Sequence, residues 1–141
     1  MHRDEICRRV SSFWHLQRTG SRIAAAVNAA IDSAVRHNKL VSERGFVDVH
    51  DRKVTVVRDR TNASPSLRRP EMLPPSEIRY ALSRIVELHC GIGESEAAQQ
   101  VARAFGFAST SEALREKITA QLKSMVEAGS LPVEGETIRS S

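Results

Sequence analysis

A chain of 141 residues, 40% hydrophobic and 27% charged, suits one medium domain or two small ones and has the balance of a soluble globular protein. No apolar run approaches the ~20 residues of a membrane-spanning helix, and no signal-peptide pattern opens the chain, so a cytoplasmic protein with no membrane partner is expected. The net charge of +4 is uneven: residues 1–70 hold 14 Lys and Arg against 7 Asp and Glu, and residues 71–141 hold 7 against 10. That asymmetry directs the first half towards a polyanion; a solvated basic face without a partner is the plainer alternative.

In chain order, Asp4 to Phe13 reads as a short helix with Ile6, Val10 and Phe13 or Trp14 turned inward. Its acids at the start and Arg8 and Arg9 later suit the helix dipole. A turn containing Gly20 leads into a long helix from about Ser21 to His37, on which Ile23, Val27, Ile31 and Val35 form one apolar stripe. The opposite face carries Arg22, Ala25, Ala29, Ser33 and Arg36. Small residues between two arginines would allow close approach to a groove or phosphate chain; equally, alanine is simply the best helix former. Lys39 to Val49 reads as a hairpin, or wing, turning at Glu43-Arg44-Gly45. Lys53 to Val57 is β-branched and reads as a further strand joining it. Thr61 to Pro75, rich in Ser, Pro, Arg and Asn, reads as a linker or surface crossing.

Ser76 is the expected N-cap of a helix to about His89 that buries Ile78, Ala81, Leu82, Ile85, Val86 and Leu88. Gly91-Ile92-Gly93 reads as a turn, and Glu94 to Phe105 as a helix with Ala97, Ala98, Val101 and Ala104 or Phe105 inward. Ser109 and Glu112 form an expected capping box for a last helix ending near Ala128, with Gly129 closing it. Leu131 to Ile138 reads as a second, shorter wing.

Shifting the sequence by 91 positions aligns two of these stretches. Trp14 falls on Phe105, Leu16 on Phe107, Ile23 on Leu114, Val27 on Ile118, Ile31 on Leu122, Val35 on Val126 and Leu40 on Leu131. Apolar character is kept while polar residues change, which reads as an internal repeat. The expected fold is mainly α with small β-hairpins: two tandem winged-helix-like repeats, at 1–60 and 76–138, joined by the linker 61–75. The first copy lacks a counterpart of the helix at Ser76–His89. That helix would lie before Met1 in a longer polypeptide. Otherwise the exposed groove is expected to be covered by Ser76–His89 or the linker folding back, or by a second copy of the chain.

No catalytic constellation emerges, so a non-enzyme is expected. Asp51-Arg52-Lys53 resembles half of a nuclease motif, but Asp48 and Glu43 lie too close in sequence to complete it. Gly91-x-Gly93 lacks the longer pattern of a phosphate loop. The histidines are scattered and Cys7 and Cys90 are single, so neither a metal site nor a cofactor nor a disulfide is expected. What remains is duplex DNA, contacted through phosphates by Arg18, Arg22, Arg36, Lys39 and Arg44, with Arg58 and Arg60 as further candidates. In the second copy Ala113 and Glu127 replace Arg22 and Arg36, with Glu116 nearby. Few exposed aromatics are expected for stacking on single strands.

Asp4-Glu5-Ile6-x-Arg8-Arg9-Val10, Leu16-Gln17-Arg18-Thr19-Gly20-Ser21-Arg22-Ile23 and Val57-Arg58-Asp59-Arg60 resemble a domain of unknown function in bacteria. Leu73-Pro74-Pro75-Ser76-Glu77-Ile78 and the stretch from Ala104-Phe105-Gly106-Phe107 to Leu114-Arg115 resemble it too. In that family the domain stands at the C-terminus of large proteins, after a superfamily 1 DNA-helicase core and a Vsr-like restriction-endonuclease domain. The resemblance implies an accessory DNA-handling role beside a parent helicase/nuclease polypeptide. It carries over no catalytic residue, because the ATPase and nuclease motifs are absent from the sequence. The competing expectation is a protein-interaction or dimerisation module, since fold does not determine function.

Overall fold

The structure, a computed structural model, describes residues 1–16, 19–51, 53–135 and 137–139. Among these residues it is mainly helical, with five α-helices and small antiparallel strand pairs, and no helix is long and apolar enough to cross a membrane. The chain divides into two compact units, Met1–Lys53 and Val54–Ser141. The whole formal charge of +4 belongs to the first, which has ten Lys and Arg against six Asp and Glu; the second has eleven of each.

In the first unit, α1 (Arg3–Phe13) is capped by His2, whose Nδ1 accepts from the Asp4 amide at 3.2 Å. α2 (Ser21–Arg36) follows, then β1 (Leu40–Glu43) and β2 (Phe46–Val49), paired from Leu40↔Val49 to Glu43↔Phe46. Arg44 and Gly45 make the two-residue loop with φ of 49° and 83°, the positive pair that a tight hairpin turn requires. Residues 1–2 add a third strand-like edge: the Val47 amide donates to the Met1 carbonyl at 2.8 Å, and His2 bridges to Phe46. The apolar core is thin, comprising Cys7, Ile31, Phe46 and Val47. Burial pushes the Cys7 thiol pKa up. Glu5, 1% exposed, is held by Arg8 through two bonds of 2.7 and 2.8 Å and by Arg9 at 2.8 Å.

The second unit opens with two 3-10 turns, Pro65–Leu67 and Pro70–Met72. Then come α3 (Pro75–His89), β3 (Ile92–Gly93), α4 (Glu94–Ala104), α5 (Glu112–Glu127), β4 (Val133–Glu134) and β5 (Thr137–Ile138), with the strands ordered β3-β5-β4. Ile78, Leu82 and Val86 of α3 are fully buried with Val101, Phe105, Leu114 and Ile118 in one core.

The 91-residue offset recurs in the backbone. Arg3–Phe13 maps onto Glu94–Ala104 and Ser21–Arg36 onto Glu112–Glu127, with both helix bounds matching in each pair. Positive φ recurs at His15 and Gly106, and at Asn38 and Gly129. The terminal bonds recur as well: Leu16 to Ser11 and Phe107 to Ala102 close the first helix, while Lys39 to Ala34 and Ser130 to Met125 close the second. His2↔Phe46 corresponds to Gly93↔Thr137. α3 has no counterpart among the described residues of the first unit.

Several expectations need correction. Residues 53–57 form no strand, because Val57 packs against the core of the second unit and tertiary context outweighs β propensity. The division falls at Lys53/Val54, before the expected boundary at residue 60. Within residues 61–75, expected to be a linker or surface crossing, Met72 and Leu73 are buried. Ser76 is not the cap of α3: Pro74 holds that place and Pro75, which lacks an amide to satisfy, starts the helix. Ser111 rather than Ser109 caps α5, accepting from the Leu114 amide at 3.2 Å. Ile92–Gly93 is a strand rather than a bare turn, and Leu88 is 70% exposed. Neither Phe13 nor Trp14 turns inward, being 80% and 63% exposed. The stripe residues Ile23, Val27 and Val35 are half-buried, whereas Leu114 and Ile118 are fully buried. α3, which covers the second stripe, has its apolar face in that core.

Gly106 has φ of +89°, and a Cβ there would meet the Thr61 amide nitrogen at 2.7 Å and the Asp59 carboxylate closer still. Gly106→Ala should therefore destabilise the chain by about 2–3 kcal/mol in a denaturant melt. His15→Ala, at the corresponding exposed turn, should change it by about 1 kcal/mol at most.

The Arg8 bonds, with help from Arg9, hold the Glu5 carboxyl below its usual 4.5 against the opposing effect of burial. The stability this contributes is present in full above pH 4.5 and is lost as pH falls through the lower folded value. Denaturant midpoints of wild type and Glu5→Gln should differ most near neutral pH and converge on acidification below 4.5. A gap that stays constant would show that the ion pairs contribute nothing.

Candidate nucleic-acid interface

α2 is alanine-rich and helix-favouring, and its outer face is bare. Arg22, Ala25, Ala29 and Arg36 are all exposed. The two arginines lie 14 residues apart on one face, a separation of about 21 Å along the axis. Ala25 and Ala29 between them present only methyl groups. Ser33, placed on this face from the sequence, is half-buried, and its carbonyl accepts from the His37 amide at 3.1 Å. Asp32 near this face is an acid, but it takes Arg3 at 2.6 Å. Lys39 is exposed just beyond the helix end, and Arg44 is exposed at the tip of the β1–β2 hairpin.

The start of α2 adds a feature that residue type alone did not reveal. Gly20 occupies the cap position with no side chain to bond the first amides, and the first turn holds no acid. Arg22 thus adds positive charge to the positive end of the helix dipole, an arrangement unfavourable to the isolated helix and favourable to an anion. At the matching end of α5, Ser111 caps the amides and Glu112 follows.

The remaining candidates divide differently. Arg18 lies outside the described residues. Arg58 donates from Nε to Glu77 at 2.8 Å while its side chain stays 53% exposed. Arg60 is a correction: at 8% exposure it is buried, paired with Glu77 at 3.4 Å and seated over the Phe105 ring at 5.2 Å. Burial lowers its pKa, and Glu77 opposes that shift. It braces the second unit and is not presented to a phosphate. Arg22, Arg36, Lys39 and Arg44 therefore belong to the first unit, and Arg58 and Arg60 to the second.

Among the described residues, no group of three His, Cys, Asp or Glu is placed to hold a metal ion. Asp51 is 88% exposed and pairs with His50 at 2.9 Å. His89 bonds the Ile85 carbonyl at the end of α3. Phe13 and Trp14 are exposed aromatics. No family model, no curated protein and no solved structure matches the chain.

Arg60→Ala leaves buried Glu77 with Arg58 alone and removes the cation from the Phe105 face. It should cost about 3 kcal/mol in denaturant unfolding, against about 1 kcal/mol or less for Arg58→Ala.

Proposed function

We propose that the chain is a non-enzymatic module that binds or positions duplex DNA, built from two tandem winged-helix-like repeats of which the first makes the contact. The observation that carries this reading is a contrast on corresponding positions. Arg22, Arg36, Lys39 and Arg44 become Ala113, Glu127, Ser130 and Gly135 at the 91-residue offset. Selective loss of all four cations, on helices with matching bounds, is what a division between a binding copy and a packing copy requires.

α2 takes the place of the second helix of a helix-turn-helix, the one laid in the major groove. Its bare alanines permit close approach. The ~21 Å between Arg22 and Arg36 exceeds the ~12 Å width of that groove, so the ends of the helix reach the bordering phosphate chains. The uncapped start of α2 offers amides to one of them. Lys39 and the hairpin tip at Arg44 extend the contact along the backbone. These are positioning contacts, which give affinity without sequence preference. The resemblance to the C-terminal domain of helicase-related proteins supports the same use, beside a parent polypeptide that carries the catalysis.

Fluorescence anisotropy with a labelled duplex tests the proposal. Affinity should fall with salt, and the double change Arg22→Ala with Arg36→Ala should weaken it roughly tenfold or more and flatten the salt slope by about two phosphate contacts. Glu127→Ala should not weaken it. Equal losses from both units, or no binding at low salt, would overturn the reading.

A further inference from the structure

A groove of about 540 Å³ runs along the first unit between Ile6 and Val10 of α1, with Trp14 just past its end, and Ile23, Val27 and Ile31 of α2. Shifted by 91 positions these six become Ala97, Val101, Phe105, Leu114, Ile118 and Leu122, none more than 3% exposed. In the second unit that same bed is occupied by α3, through Ile78, Leu82 and Val86. The chain thus contains both the empty groove and a template for its occupant. Trp14 and its edge-on neighbour Phe13 border the groove and are 63% and 80% exposed, although the residue corresponding to Trp14 is fully buried.

We propose that this groove is a docking site for one acidic amphipathic α-helix of a partner protein, with apolar residues at i, i+4 and i+8 as in α3. The apolar spacing follows from the template, because the bed presents aliphatic and aromatic groups at corresponding positions on two helices with matching bounds. The acidic character follows from charge. The unit carrying the groove holds the entire net charge of +4. A negatively flanked helix is attracted to it, whereas a second copy would bring an equally positive unit against it. A second copy is disfavoured on another ground: its own α3 has its apolar face fully buried and is not available. The groove lies on the apolar side of α2 and Arg22 and Arg36 on the other, so the charge of the unit attracts the partner's acids at long range while apolar contacts alone line the groove.

A labelled peptide with the sequence of Pro75–His89, made acidic by Arg79→Glu and Arg84→Glu, is a suitable probe for the full chain. The first change also removes a cation that bonds Gln121 in the second unit, so exchange into that unit is disfavoured. Anisotropy should show saturable binding that Trp14→Ala weakens at least about tenfold. Ala30→Glu, which places a charge at an exposed position lining the groove, should abolish it. Neither variant removes a core residue, and unchanged circular dichroism verifies that both fold. A peptide with Leu82→Ser and Val86→Ser should not bind. Equal binding by wild type and both variants, or no binding up to about 1 mM peptide, would overturn the proposal. So would light scattering that shows a dimer dissolved by Trp14→Ala, because the groove would then belong to a second copy.

Discussion

Two helices packed side by side leave a furrow of apolar side chains between them, and the character of each unit depends on what fills it. In the second unit α3 closes the furrow. Phe105, Leu114 and Ile118 are thereby taken fully out of water, each worth about 1.5–3 kcal/mol relative to exposure. Once that core exists, an ion pair can be buried at its edge. Arg60 and Glu77 sit there, with the Phe105 face beneath the guanidinium. Among the described residues of the first unit, no equivalent helix closes the furrow. Its core therefore shrinks to four apolar side chains. Local devices bear more of the load: the carboxylate of Glu5 held by two arginines, and the strand-like edge at residues 1–2.

What could be read from sequence follows the same division. Helix bounds and turns were legible because they rest on local causes. Apolar spacing places the stripes, Gly129 marks a left-handed helix end, and Arg44-Gly45 marks a tight hairpin. The left-handed turns at His15 and Asn38 were harder to see, as neither residue is glycine. Side-chain exposure was poorly legible, because it is settled by a third element elsewhere in the chain. Trp14 and Phe105 occupy corresponding positions on matching helices, and nothing local distinguishes the exposed one from the buried one. Arg60 failed for the same reason: among basic residues near a presumed linker, only the fold shows that Glu77 and Phe105 enclose it. The β-branched run at 53–57 expressed a propensity that no neighbouring strand used.

The two helix pairs also illustrate which parts of a sequence are free to diverge. Backbone-determining positions are held at the offset: the helix bounds, the left-handed turns and the carbonyls that receive the terminal amides. The helix start is different. Gly20 and Ser111 both permit the extended cap conformation, yet only Ser111 satisfies an amide. A side-chain cap is worth about 1 kcal/mol to a helix, and a cation in the first turn works against the dipole. α2 thus lacks the serine cap of α5 and carries Arg22 where α5 carries Ala113.

In the reading proposed above, that unfavourable end is offset by something outside the helix. An anion placed at bare amides beside Arg22 does so directly, since the groups that destabilise the free helix are those that stabilise the contact. The apolar side of α2 shows the same relation in another interaction. Its valine and isoleucine stripe is maintained at positions that remain half-buried in the unit itself. Among the described residues, α2 therefore has a start with neither a side-chain cap nor an acid in its first turn, and an apolar stripe that is only half-buried. α5 has both completed within its own unit, by Ser111 with Glu112 and by α3. In the reading proposed above, these two differences from the second unit specify the chemistry of a partner: negative charge at one face, an apolar ridge at the other.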